Sequence, residues 1–252
     1  EPAPEAVAAA GQGTMNNVAL GGMDPRGGDP TPYAFYETQG GGFGGRAGGD
    51  GIDGVHVHMS NTLNTPAEVL ETAYPLRIER YELRPDSGGA GEHRGGLGLR
   101  RDIRVRDHTA RFSLLAERHE SHPYGLAGGE EGATGAAYLV DDSGDEIERL
   151  PAKHTRDLPA GSVVSVRTPG GGGDGAPADR DPDAVARDLR LGKLTPEAAR
   201  ERYGFAVDEG GAADRADGGA GPRTRPRPPR PERVSRLRGR GRTAPPRATP
   251  PP

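Results

Sequence analysis

The chain has no cysteine, which excludes disulfides and thiolate metal sites and leaves the redox compartment unread. Strongly apolar residues are scarce. Leu, Ile, Val and Phe make up about 15% of the 252 residues, below the ~20% at which disorder becomes a fair suspicion. No run of ~18 apolar residues exists, so no membrane-spanning segment is expected. Lysine occurs only at Lys153 and Lys193. The sequence opens at Glu1 without an initiator Met, and its first ten residues lack the basic region of a secretory signal. A piece of a longer chain is expected.

Glycine and proline are abundant instead, at 42 and 25 residues, well above their usual ~7% and ~5%. The glycines cluster and do not recur every third residue along the chain, which excludes collagen. The net charge of −4 conceals two unlike parts. Residues 214–252 hold eleven Arg, three acids and ten of the prolines, and their apolar residues are too few to offset the ordering entropy of ~1–2 kcal/mol per residue. The expected organisation is an ordered body over residues 1–209 and a disordered Gly/Arg/Pro-rich tail over 210–252. Three readings stand for the tail: a phosphate-binding segment, a solvated extension, or translation of a GC-rich region in the wrong frame. Nucleic acid is not the expected partner.

Within the body, alternating patterns and turn signals give strands near residues 14–20, 33–38, 77–83, 98–105, 110–115, 136–140 and 162–166. Residues 64–71 suggest a short helix capped by Thr65. Asp181-Pro182 and Thr195-Pro196 begin two more, the second ending at Gly204. The fold class is therefore α+β and β-rich: glycine-rich loops and a strand meander or sandwich, closed by two short C-terminal helices expected to pack on the sheet.

Gly40-Gly-Gly-Phe-Gly-Gly45 fits G-x-G-x-x-G, but no helix begins there to meet a pyrophosphate, so a tight structural turn is the better reading. The glycine run 170–173 lacks the Lys-Ser/Thr of a P-loop. Val55-His-Val-His-Met59 alternates strictly, which in a strand places His56 and His58 on one face. Beside Asp53 and Asn61 they could share a metal, line a polar pocket, or serve structure alone. No full ligand set is found, and no catalytic residue is assigned. His119 and His122 flank Glu120 at irregular spacing and make a poorer candidate.

Longer blocks carry a resemblance. Tyr36-Glu-Thr-Gln-Gly-Gly-Gly42, Asp50-Gly-Ile-Asp-Gly-Val-His-Val-His-Met-Ser-Asn-Thr-Leu-Asn-Thr-Pro66, Tyr74-Pro-Leu-Arg-Ile-Glu-Arg-Tyr-Glu-Leu-Arg-Pro-Asp-Ser-Gly-Gly-Ala-Gly91 and Thr168-Pro-Gly-Gly-Gly-Gly173 closely resemble the hydantoinase B/oxoprolinase family, in order and through nearly the whole body. The resemblance implies the C-terminal portion of a B-type subunit. It would work with an actin-like, hydantoinase A-like ATPase that binds ATP and Mg to open a small cyclic amide such as a hydantoin or 5-oxoproline. Related chains serve ATP-dependent acetone and acetophenone carboxylases, so carboxylation is the alternative; a catalytically incompetent interaction fragment is another. The family's Asp and His-x-Asp metal motifs have no counterpart here, which assigns a divalent metal to an N-terminal part outside this chain and leaves the isolated chain inactive. Asp53, His56, His58, Asn61 and Asn64 are the expected substrate-lining residues, because polar side chains concentrate there beside flexible glycine backbone.

Overall fold

The computed structural model describes residues 7–58, 60–207 and 213–215. Two antiparallel sheets face each other across one core. The first contains β1 (Asn17–Asp24), β2 (Thr31–Thr38), β5 (Ala110–Leu115) and β8 (Lys153–Leu158), in the order β2-β1-β5-β8. The second contains β3 (Leu76–Leu83), β4 (Leu99–Val105), β6 (Ala136–Val140), β7 (Glu146–Leu150) and β9 (Val163–Arg167), in the order β3-β4-β9-β6-β7. Hairpins join β1 to β2, β3 to β4 and β6 to β7, whereas β5, β8 and β9 pair with strands distant in sequence. The architecture is a sandwich. Val18, Leu20, Phe112 and Leu114 of the first sheet meet Leu76, Ile103, Val164 and Val166 of the second. Each such buried side chain contributes about 1.5–3 kcal/mol of transfer free energy.

The expected strands form, with ends shifted by a few residues. Strands β7 and β8 were not foreseen. In β7 only Leu150 is buried, and β8 alternates polar residues at a sheet edge, so neither carries an apolar signal. The first helix, α1, runs Ala67–Ala73 with Pro66 at its N-cap and no side-chain cap. The Thr65 amide instead donates to Glu37 Oε2 at 3.2 Å.

Helices α2 (Pro182–Arg190) and α3 (Pro196–Tyr203) begin as expected, with the side chains of Asp181 and Thr195 accepting from the amides of Asp183 and Ala198. Gly204 closes α3 at φ 72°, a left-handed conformation that costs glycine nothing. Among the described residues the helices pack on neither sheet of the sandwich. Val185, Leu194, Ala199, Tyr203 and Phe205 form a separate core that includes Ala90 of the glycine-rich region. The stripe of α2 is only Val185 and Leu189, enough for a small neighbour and too narrow for a sheet face. A short pair follows, β10 (Phe205–Val207) with β11 (Ala213–Arg215). The chain divides into units 1–222 and 223–252. The tail expected over 210–252 lies outside the described residues except for β11.

A third kind of interior stands beside the sandwich. The amides of Gly170, Gly171, Gly172 and Gly173 donate to the carbonyls of Ala133, Gly96, Ala10 and Glu130 at 2.8–3.1 Å. Carbonyls of Pro169 and Gly172 accept from Gly42 and Gly45. Neighbours therefore recur every third residue, the repeat of a polyproline II-type helix with three residues per turn. Only glycine permits this approach, because a Cβ on Gly171 or Gly172 would fall inside the carbonyl of Phe43 or Tyr124. The run 40–45 belongs to the same bundle: Gly41, Gly42, Phe43 and Gly45 give their amides to Val55, Pro169, Ile52 and Gly172. These runs are structural, and the amides a phosphate would need are spent on backbone.

Candidate functional site

The segment 50–65 leaves the glycine bundle and turns toward β3 and β4. It is not the strand that its alternation suggests. Val55 makes one isolated bridge, with Gly41, and left-handed residues interrupt the segment at Gly54 (φ 57°), His58 (φ 54°) and Asn61 (φ 32°). Alternation predicts a strand only where a neighbour supplies a ladder, and here the neighbour is a three-fold glycine helix. His56 and His58 consequently part.

His56 turns inward with Asn64. The Asn64 carbonyl oxygen accepts the Gly40 amide at 3.0 Å, which fixes the orientation of the side-chain amide, and it lies 2.8 Å from His56 Nε2. His56 Nε2 must therefore carry a proton, and in the neutral ring Nδ1 holds the lone pair. That Nδ1 is buried and has no hydrogen-bond partner among the described residues. The Asn64 amide nitrogen donates to Tyr81 Oη at 2.7 Å.

Behind Tyr81 lies a buried ion pair. The Arg101 guanidinium sits 4.8 Å from the Tyr81 ring centroid and donates to Glu37 Oε1 at 2.7 Å and to the Thr65 carbonyl at 2.8 Å. The Arg101 and Glu37 side chains are 1% and 5% exposed. Gln39 and Thr65 also donate to Glu37, and the chain of contacts continues through Gln12 to Asn16. Glu37, Tyr81 and Arg101 were not foreseen, although a signal existed. Leu99, Arg101, Ile103 and Val105 share one face of β4, so a charge stands in the inward register.

The other expected residues are elsewhere. Asp53 accepts from the Leu97 amide at 2.8 Å, Arg94 at 3.1 Å and Lys193 at 2.8 Å. Arg94 reaches Asp188 at 3.1 Å, and Arg180 joins Asp188 to Asp50 at 2.6 and 2.8 Å. This network ties α2 to the glycine bundle. Burial pulls the carboxyls of Asp50 and Asp53 upward, but the surrounding cations outweigh it and hold both below the ordinary range. Asp53 is thus an anchor. Asn61 is exposed. His58 is exposed and stacks on Phe43 at 6.1 Å between centroids. It lines a 380 Å³ cavity with Ala8, Gly11, Tyr124 and Leu126.

A larger cavity, 820 Å³, opens between residues 116–121 and 149–153, and it includes His119. Burial, then Arg149 and Arg84, hold the His119 imidazole below its ordinary value. Burial likewise pulls the Arg84 guanidinium down to about 10. The sequence ranked this histidine second; the structure gives it the roomier surroundings. Among the described residues no three His, Asp or Glu side chains converge to hold a metal. His56 faces an amide and Asp53 faces cations, so this donor set does not fit a divalent ion.

Residues 1–177 match the family model described as hydantoinase B/oxoprolinase. An uncharacterised protein of Methanocaldococcus jannaschii is 47% identical over 200 residues, 79% of this chain and 34% of that protein. A Pseudomonas protein named as the B-type component of a D-/L-hydantoinase is 34% identical over 201 residues, 79% of this chain and 33% of that one. Among solved structures, the ATP-dependent caprolactamase of Pseudomonas jessenii superposes with a TM-score of 0.71 at 28% identity, covering 85% of this chain and 38% of that chain. The chain spans about a third of the length of these curated relatives.

Proposed function

The chain belongs to the hydantoinase B/oxoprolinase family, and from that premise we propose that it is part of the B-type subunit of an ATP-dependent cyclic-amide hydrolase. In this reading it acts in the cytoplasm with an actin-like, A-type ATPase subunit. The family-like body is residues 1–209, and 210–252 stand outside the catalytic reading. The observation that carries the proposal is the family match over residues 1–177, which includes all of the His56–Asn64–Tyr81 chain. The relatives named as a hydantoinase component and a caprolactamase support cyclic amides as the substrate class.

The chemical difficulty is general: an unstrained amide is a poor electrophile. ATP bound on the partner would supply activation by phosphoryl transfer to the amide oxygen, which makes the carbon a better electrophile and lets that oxygen depart as phosphate once water has attacked. This chain contributes position and proton handling. Asn64, fixed by the Gly40 amide, holds the His56 ring with Nε2–H engaged and Nδ1 as the basic atom. Tyr81, held over Arg101, keeps Asn64 from rotating. The glycine bundle behind the segment gives it a stiff support.

The test is a co-purified complex of the full-length B-type subunit with its ATPase, assayed for ATP-coupled opening of 5-oxoproline, hydantoin and caprolactam. His56→Ala and Asn64→Ala are each expected to lower turnover at least ~100-fold, the lower end for loss of a positioned proton-transfer group. Wild-type turnover in both would discard the assignment, and bicarbonate-dependent consumption of acetone would replace hydrolysis with carboxylation.

A further inference from the structure

Among the described residues, eight arginines that are buried or partly buried lie within ion-pair distance of a carboxylate. Arg84 and Arg118 are partly buried and have no carboxylate partner among the described residues. Removing a cation from water without an opposite charge is costly, so two such residues at one place call for a reason. Arg118 lines the 820 Å³ cavity, and its Nη1 donates to the His122 carbonyl at 3.0 Å. Arg84 Nη1 donates to the carbonyls of Thr134 and Thr168. His119 packs against Gly135, where a Cβ would lie 3.0 Å from its ring. Arg84 and His119 therefore flank the same stretch of backbone.

A third guanidinium, Arg149 on β7, lines the cavity and likewise has no carboxylate partner among the described residues. Lys153 is neutralised by Glu117 at 2.8 Å, which leaves Glu120 as the lining acid without a described cation. Three guanidiniums without a described carboxylate partner thus stand in this region, and burial, then Arg149 and Arg84, hold the His119 imidazole below its ordinary value.

We propose that this cavity binds a small carboxylate, gripped by Arg149 and Arg118 beside His119, with Arg84 as a fixed positive charge behind. Planar guanidinium groups match the two oxygens of a carboxylate. The identity of the ligand rests on the hydrolase reading. When water opens a cyclic amide, the C–N bond breaks, the water oxygen bonds to carbon, one water proton goes to the departing nitrogen, and the new carboxylic acid gives up the other, to an amine where the ring releases one and otherwise to solvent. Every such reaction creates a carboxylate whatever the ring, so the cavity is a product-carboxylate subsite.

The experiment uses the whole 252-residue chain with ¹⁵N-labelled histidine at low ionic strength. The His119 ring signals are followed as acetate, glutamate, inorganic phosphate or neutral caprolactam is added. Acetate and glutamate are expected to give saturable shifts and caprolactam none. Arg149→Gln is expected to weaken binding about tenfold, the loss of one charge-assisted contact, and Arg84→Gln to weaken it less, the loss of a charge without a contact, while Arg190→Gln at the end of α2, outside the cavity, leaves it unchanged. No saturation with either carboxylate, binding that survives both Arg149→Gln and Arg84→Gln, or saturation by phosphate alone overturns the proposal. Should Arg84→Gln fail to fold, the exposed Arg149→Gln carries the test. Carboxylate binding in a complex that opens no ring would leave the site standing and remove the hydrolase reading. Ring opening without carboxylate binding would do the reverse.

Discussion

Replacing Arg101 with Met gives the sharpest test of how the candidate site is held. The change keeps an unbranched apolar stem and removes the guanidinium, which strands the Glu37 carboxylate in an interior where only 5% of it reaches solvent. Breaking a buried pair from one side costs about 3–5 kcal/mol. Glu37 keeps hydrogen bonds from Gln39 and the Thr65 amide, so the lower figure, about 3 kcal/mol, is expected. With a urea m-value of about 2 kcal/mol/M, the midpoint falls by roughly 1.5 M while m itself stays constant. Far-UV circular dichroism reads this transition. The double variant Glu37→Gln/Arg101→Met removes both charges and should recover most of the loss, since a buried pair replaced as a unit is close to neutral. A single-variant shift under about 0.5 M, or a double variant no better than the single, would refute the argument that the pair is coupled and desolvated.

Other outcomes follow from the same contacts. Gly171→Ala should destabilise by about 3 kcal/mol, from overpacking and the strained bonds to Gly96 and Gly89, whereas Gly27→Ala, with open space around it, should be neutral or slightly stabilising; thermal melts compare the two. The carboxyls of Asp50 and Asp53 sit below their ordinary 3.8 in the fold, so their contribution is complete above that value and is lost as pH falls through the depressed folded values. Asp53→Asn should flatten that acid limb of a stability-versus-pH curve, and an unchanged limb would remove Asp53 from the linkage. Two-bond ¹H–¹⁵N spectra of neutral His56 should show the Nε2–H tautomer in the wild type and a mixture in Asn64→Ala.

The parts of the fold that were legible in the sequence are those where one local signal suffices. Asp181-Pro182 and Thr195-Pro196 each bring their own cap, and the inward face of β4 reads directly as Leu99, Ile103 and Val105. Strands β7 and β8 left no apolar trace because edge strands need bury little. The segment around His56 misled because its partner is not a strand, and no local pattern states what a segment will pair with. Of the five expected site residues, His56 and Asn64 do meet. Asp53 is drawn away by Arg94 and Lys193, which lie 41 and 140 positions further along the chain and were beyond any short-range reading.

The glycine bundle also sets how this protein responds to temperature. Unfolding it hydrates peptide groups more than hydrocarbon. Apolar exposure raises heat capacity by about 0.45 cal/K/mol/Å² and polar exposure lowers it by about 0.26. An interior built in part from bare backbone should therefore unfold with a heat-capacity increment below the usual ~12–15 cal/mol/K per residue. Its stability curve should be broad and shallow, held by amide enthalpy where ordinary cores depend on the entropy of water. Cooling weakens the sandwich, as it weakens any hydrophobic core. The bundle beside it lacks the hydrocarbon through which cold acts, so the support behind His56 should outlast the sheets that carry it.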